Sequence, residues 1–231
     1  MNIKNKVNGS IDKKYNLMAL TLWCINVNRM KIIAIGRNYA DHIKELNNER
    51  PDEPVIFMKP DTAVLKQGEV FYYPDFSSDV HYEVEVLLKI SKMGKNIEEQ
   101  FAHKYYEEIG LGLDMTARDL QAKLKAKGLP WEIAKGFNGS AMLSDFVPKK
   151  GFDLKNLDFS LKLNNEIKQE GNTAMMLYSF DAIIAYISKF FTLKVGDVIF
   201  TGTPAGVGPV KIGDTLDGFF QDKQMFSFEV K

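Results

Sequence analysis

Glu83 and Glu85 stand two apart in His81-Tyr82-Glu83-Val84-Glu85-Val86-Leu87-Leu88-Lys89-Ile90. The aromatic, β-branched and aliphatic residues around them suit a strand, in which residues two apart project from one face. Two neighbouring carboxylates repel and raise each other's pKa, so the pair is at ease only in water or around a cation. On a half-buried antiparallel strand such a pair would be an ordinary solvated face. Asp114 changes its meaning. It closes the short apolar run Gly110-Leu111-Gly112-Leu113 and puts a third carboxylate at a strand end, where loops open and sites are commonly built. With a single cysteine and no histidine cluster to make a zinc set, three carboxylates describe a hard oxygen site for Mg²⁺ or Mn²⁺.

Three further groups have the residue types for chemistry. His42 and Glu45, three apart in Gly36-Arg37-Asn38-Tyr39-Ala40-Asp41-His42-Ile43-Lys44-Glu45, meet on a helical turn. A carboxylate beside an imidazole fixes its tautomer and raises its basicity, which makes a base able to activate water. Lys135, set among apolar and small residues in Leu129-Pro130-Trp131-Glu132-Ile133-Ala134-Lys135-Gly136-Phe137, offers an ammonium to an anionic substrate or a developing oxyanion. The glycines of Phe200-Thr201-Gly202-Thr203-Pro204-Ala205-Gly206-Val207-Gly208-Pro209 let backbone N–H groups approach a carboxylate closely. That run lacks the Lys-Ser/Thr of a P-loop and does not match GxGxxG. His81 and His103 read as structural.

The elements that must hold these groups are mostly strands. Residues 31–35 and 55–58 read as strands closed by Gly or Pro, with a turn and short helix over 38–46 between them. Helices are expected over 100–108 and over 116–127, the second ended by Gly128 and Pro130, and a core-packed helix over 176–190. Asn164-Asn165 turns a hairpin over 161–169, and Gly-Asp turns at 196–197 and 213–214 separate short strands up to a last one over 225–230. Strands without regular intervening helices argue against a doubly wound sheet.

The 231 residues suffice for one large domain, and hydrophobic residues at 45% with 16 Phe imply a substantial core. Lys+Arg and Asp+Glu balance at 30 each, so no net field draws the chain to nucleic acid or an anionic membrane. Cys24 alone allows no internal disulfide and fits a reducing cytoplasm. Residues 1–15 are polar, and the apolar stretch 17–27 is too short to span a bilayer. We read 1–29 as an extension without assigned function and 30–231 as one catalytic domain.

The order of these pieces is more specific than any one of them. Ile35-Gly36-Arg37-Asn38-Tyr39 with His42 and Glu45, Phe57-Met58-Lys59-Pro60, Glu83-x-Glu85, Leu113-Asp114-Met115-Thr116-Ala117-Arg118-Asp119, Lys135 and Thr201-Gly202-Thr203-Pro204 together resemble the fumarylacetoacetate hydrolase family. The likeness is to its short acylpyruvase-like branch, which hydrolyses acylpyruvates or decarboxylates oxaloacetate. The resemblance implies a mixed α+β, mainly β fold, a β-sandwich roll with short helices, assembled as a homodimer. It implies a divalent metal, Mg²⁺ or Mn²⁺, on Glu83, Glu85 and Asp114, a water-activating pair in His42 and Glu45, and substrate contact by Lys135. Arg37, Arg118, Gln121 and Thr203 would line the pocket for a small 2-oxo acid. Asn138, where many members carry Asp, puts substrate choice in question. Isomerisation or tautomerisation of a 2-oxo or 2-hydroxy-dienoic diacid would use the same groups. A non-catalytic metal-binding module would have no need of the His42/Glu45 pair.

Overall fold

The computed structural model describes residues 30–45 and 49–231, so the extension 1–29, with Cys24, and the expected helix end at Leu46 lie outside the described residues. At its centre Val84–Ile90 pairs antiparallel with Tyr106–Asp114, Glu85 opposite Gly112 and Val86 opposite Leu111. These two strands belong to an eight-stranded sheet ordered Val55–Lys59, Ile32–Gly36, Val198–Phe200, Val84–Ile90, Tyr106–Asp114, Ala141–Leu143, Val64–Lys66, with Val147–Pro148 also on Tyr106–Asp114. Ile32–Gly36 runs parallel to Val198–Phe200, which brings the loops after both strands to one edge. A second, antiparallel sheet contains Glu166–Asn172, Asp158–Leu163, Thr215–Phe220 and Lys223–Glu229. Gly208–Pro209, Val80–Tyr82 and Thr116–Ala117 form a third.

Alternation along Val84–Ile90 explains the layering. Val84, Val86, Leu88 and Ile90 enter a core shared with Phe159, Leu161, Leu216 and Phe226 of the second sheet, whereas Leu87 packs with Ile32, Ala34, Val198 and Phe200 on the other face. Glu85, two before Leu87, shares that other face. The result is the expected mainly β sandwich roll with short helices. In the second sheet, Asn164 (φ 52°) and Asn165 (φ 69°) make the tight hairpin turn, a backbone shape that asparagine tolerates.

Two helices differ from expectation for identifiable reasons. The one expected over 100–108 is the single turn Glu99–Ala102, because Tyr106 begins a strand whose pairing with Val84–Ile90 outweighs local helical spacing. The one expected over 176–190 starts at Phe180, capped by the Ser179 hydroxyl, which accepts from Ala182 N–H. Residues 177 and 178 cannot join it, since their N–H groups donate to the Asn38 backbone and side-chain oxygens at 2.8 Å each. The segment expected as helix over 116–127 gives its first two residues to a strand and is helical over Arg118–Ala126.

Candidate active site

Strand register gathers the three carboxylates. Continuing the pairing beyond Glu85–Gly112 and Val84–Leu113 sets Glu83 opposite Asp114, whose N–H donates to the Glu83 carbonyl at 2.9 Å. Glu85 lies two residues along on the same face, facing a glycine that brings no side chain. The regular strand is interrupted at Glu83, which is the junction residue between Val80–Tyr82 and Val84–Ile90, while Glu85 lies within the second strand. All three are buried, and each offers an oxygen within 4.8 Å of the others'.

Three carboxylates away from water need positive charge. Lys135 Nζ donates to Glu83 Oε2 and Asp114 Oδ2 at 2.7 Å each, and Arg118 Nη2 donates to Glu83 Oε1 at 2.5 Å. Lys59 Nζ makes an ion pair with Asp114 Oδ1 at 2.6 Å. It also donates to the carbonyls of Met115, Ser140 and Lys135. Burial pushes the Glu83 carboxyl up, yet Lys135 and Arg118 outweigh it and hold Glu83 well below the usual carboxylate range. Glu85 goes the other way. Burial, then Asp114 and Glu83, raise it well above that range despite a 2.6 Å hydrogen bond from Gly202 N–H.

The folded, cation-free protein therefore holds a proton on Glu85 that the unfolded chain releases in the ordinary carboxylate range. At this residue stability is fullest below that range and falls as pH rises through the raised value. A cation competes with the proton for Glu85, so divalent affinity is expected to increase with pH, with proton release on binding. Titrating Mn²⁺ calorimetrically in buffers of different ionisation enthalpy measures that release. No release would contradict the assignment.

An imidazole sits beside the acids. His42, buried on the helix Ala40–Glu45, has Nδ1 3.2 Å from Glu45 Oε2, and Glu45 Oε1 accepts the Gly206 N–H at 3.0 Å. The glycine loop does present N–H groups to carboxylates, and the carboxylates are the protein's own. Asn38 anchors this corner, donating to the carbonyls of Thr201 (2.8 Å) and Tyr178 (3.1 Å). Arg37 precedes it with φ 60°, a left-handed conformation uncommon for a long side chain. Gly202, at φ 102°, has no room for more: an added Cβ would stand 2.6 Å from Asn38 Cβ. Gly202→Ala is expected to lower stability by about 1–3 kcal/mol, read from urea unfolding. An unchanged midpoint would show that the loop can yield.

Arg37, His42, Glu83, Glu85, Asp114, Arg118, Gln121, Lys135 and Thr203 all line one cavity of about 40 Å³, with Glu45 behind His42. Two clefts of about 980 Å³ lie elsewhere, but neither includes the carboxylates. Asn138 is exposed on the wall of one of these clefts and is not among the residues that line the small cavity. Over residues 31–231 the chain matches the family model described as fumarylacetoacetate (FAA) hydrolase C-terminal. The chain belongs to the fumarylacetoacetate hydrolase family.

Members of this family similar to it include the mitochondrial oxaloacetate tautomerase FAHD1 of Bos taurus, 43% identical over 201 residues, or 87% of this chain and 91% of that one. The mitochondrial oxaloacetate decarboxylase of Dictyostelium discoideum is 47% identical over 188 residues, 80% of this chain and 86% of that one. The crystal structure of fumarylpyruvate hydrolase from Pseudomonas aeruginosa in complex with Mn²⁺ and pyruvate resembles the fold with a TM-score of 0.82 at 34% identity, covering 87% of this chain and 89% of that one. The family is one of enzymes whose named activities include hydrolysis, decarboxylation and tautomerisation. Among the described residues no helix is long and apolar enough to cross a membrane.

The donor set in this family member fits a divalent cation: three buried hard carboxylates, each with an oxygen within 4.8 Å of the others'. Sequence reasoning assigned no role to four residues that shape the site. Lys59 is the buried counter-charge to Asp114, and Asn38 is the corner anchor. Gln169 ties Val84 N–H (2.9 Å) to Thr203 Oγ1 (2.8 Å). Lys125 lines the cavity one helical repeat beyond Arg118. Its signal was available, since 118, 121 and 125 share one helix face.

Proposed function

We propose that this chain is a divalent-metal-dependent enzyme of small 2-oxo acids that moves a proton at the carbon beside the 2-oxo group, with oxaloacetate as its substrate. The observation that carries this reading is the placement of His42, braced by Glu45, on the same small cavity as Glu83, Glu85 and Asp114. Relatives named for oxaloacetate tautomerisation and decarboxylation support it. Glu83, Glu85 and Asp114 would hold the cation, Mg²⁺ or Mn²⁺. When bound, a divalent cation supplies Lewis acidity, drawing electron density from the 2-oxo carbonyl as a neighbouring proton leaves.

His42 has Nδ1 engaged by Glu45, which leaves Nε2 to hold the mobile proton between carbon and oxygen. Thr203 Oγ1 accepts from Gln169, so its own hydrogen is directed to a substrate oxygen. Arg118, fixed by Glu83 and by Gln121 Oε1 at 2.7 Å, binds substrate carboxylate without having to be ordered first. A second reading, C–C hydrolysis of acylpyruvates, is favoured by the carboxylate–imidazole pair itself, which suits a base that takes a proton from water. Residues 30–231 would act as one catalytic domain in a homodimer.

Enol decay of oxaloacetate and pyruvate release from oxaloacetate and acetylpyruvate, each with and without EDTA, test this. EDTA-sensitive tautomerisation supports the first reading, and pyruvate from acetylpyruvate supports the second. No activity on either compound with Mn²⁺ bound would sink both.

A further inference from the structure

Gln169, on the strand Glu166–Asn172 of the second sheet, is 1% exposed and reaches across to the site. The ladder between Val198–Phe200 and Val84–Ile90 sets Phe200 opposite Leu87, and the same register carried three residues further would set Thr203 opposite Val84. Gly202, at φ 102°, turns the chain away before that pair forms. The Gln169 carboxamide takes the place of the missing pairing. Its Oε1 accepts the Val84 N–H at 2.9 Å, and its Nε2 donates to the Pro204 carbonyl at 2.9 Å and to Thr203 Oγ1 at 2.8 Å. At Gly206 an added Cβ would collide with the Lys168 carbonyl and stand 3.3 Å from Gln169 Cγ, so the loop lies directly on the strand that carries Gln169.

Two of these partners decide which way the amide faces. A backbone N–H can only donate and a carbonyl can only accept, so Val84 fixes the amide oxygen and Pro204 fixes the nitrogen. Turning the amide over would leave a buried N–H unpaired and set oxygen against oxygen. Thr203 Oγ1 must therefore accept from Gln169. Its single hydrogen cannot point at Gln169, and Thr203 lines the triad cavity, so that hydrogen is left for a ligand there.

We propose that Gln169 is a positioning residue that locks Thr203 as a hydrogen-bond donor, so that the cavity takes at this point an oxygen that accepts, a 2-oxo carbonyl or an ionised carboxylate. This role presupposes the 2-oxo acid reading of the triad cavity, and Gln169 acts through Thr203 without touching the ligand. Without the amide, the hydroxyl is free to rotate away. A hydrogen bond to a charged acceptor is worth about tenfold in affinity.

The test is a double-mutant cycle on calorimetric binding of pyruvate, whose ionised oxygens only accept, at saturating Mn²⁺. Thr203→Val is expected to weaken pyruvate about tenfold and Gln169→Met about fivefold, with the double variant within about twofold of Thr203→Val alone. Independent effects would multiply to about fiftyfold. That product would give Gln169 a merely structural role and overturn the proposal, as would full pyruvate affinity in Gln169→Met. If Gln169→Met does not fold, Gln169→Glu keeps an acceptor for Val84, and the same cycle decides. A new carboxylate that only repels the anion weakens pyruvate equally with and without the Thr203 hydroxyl, which overturns the proposal, whereas weakening confined to proteins that carry the hydroxyl upholds it. Full affinity in Thr203→Val overturns the proposal alone. If the wild type binds Mn²⁺ but not pyruvate, the 2-oxo acid reading beneath it falls as well.

Discussion

Asp114→Ala is expected to abolish divalent-cation binding and turnover and to cost the fold about 3–5 kcal/mol. The stability loss follows from what remains behind. Lys59 and Lys135 are 2% and 3% exposed, and both ammonium groups face Asp114. Neither can turn out to water when the carboxylate goes, and Glu83 is already shared between Lys135 and Arg118. An uncompensated buried charge costs far more than the pair it came from would contribute. Urea unfolding gives the stability and Mn²⁺ titration gives the binding. If stability drops by less than about 1 kcal/mol, the ammonium groups are being neutralised or hydrated in a way the buried geometry does not allow. Full Mn²⁺ affinity in the variant would remove Asp114 from the ligand set.

His42→Ala is expected to lower proton-transfer turnover by about 10²–10⁴-fold. The imidazole neighbours the carboxylates without being one of them, so Mn²⁺ affinity should stay within about twofold. The informative comparison is between reactions. Tautomerisation and water attack both need a base, whereas loss of CO₂ from oxaloacetate requires only that charge be accepted at the 2-oxo group. A large loss in the first two with decarboxylation spared supports His42 as the base. Equal loss in all three would make it a substrate-positioning residue, and no loss in any would overturn the dyad's role.

Much of this site was legible because its residues are close in sequence or fixed by period. Glu83 and Glu85 needed only the two-residue period of extended chain, which holds although the strand breaks at Glu83, His42 and Glu45 only a helical turn, and Asp114 only the end of an apolar run. Asn38 and Lys59 were invisible in that sense, although both lie in the motif run itself. Asn38 earns its place through Tyr178 and Thr201, 140 and 163 residues away. Nothing local distinguishes a lysine that ends an edge strand in solvent from one that ends it against a buried aspartate. The same limit produced the helix error at 100–108, where Tyr106 is claimed by a strand partner sixteen residues earlier, Ile90. Gln169 lies on an arm of the predicted hairpin, yet its amide serves the loop at Thr203 and Pro204. Local pattern told which elements exist, and long-range pairing decided what they hold.

The Lys59 ammonium gathers carbonyls 56, 76 and 81 residues further along the chain, at Met115, Lys135 and Ser140. Such contacts close large loops, whose entropic cost precedes any gain from the contact. A partly folded chain in which Lys59 has not found these carbonyls cannot bury Asp114, and so cannot present three carboxylates at ligand distance. Cation affinity is thereby a property of the completed molecule. Glu83, Glu85 and Asp114 all precede Ser140 in the chain, so their mutual spacing depends on a segment that follows them.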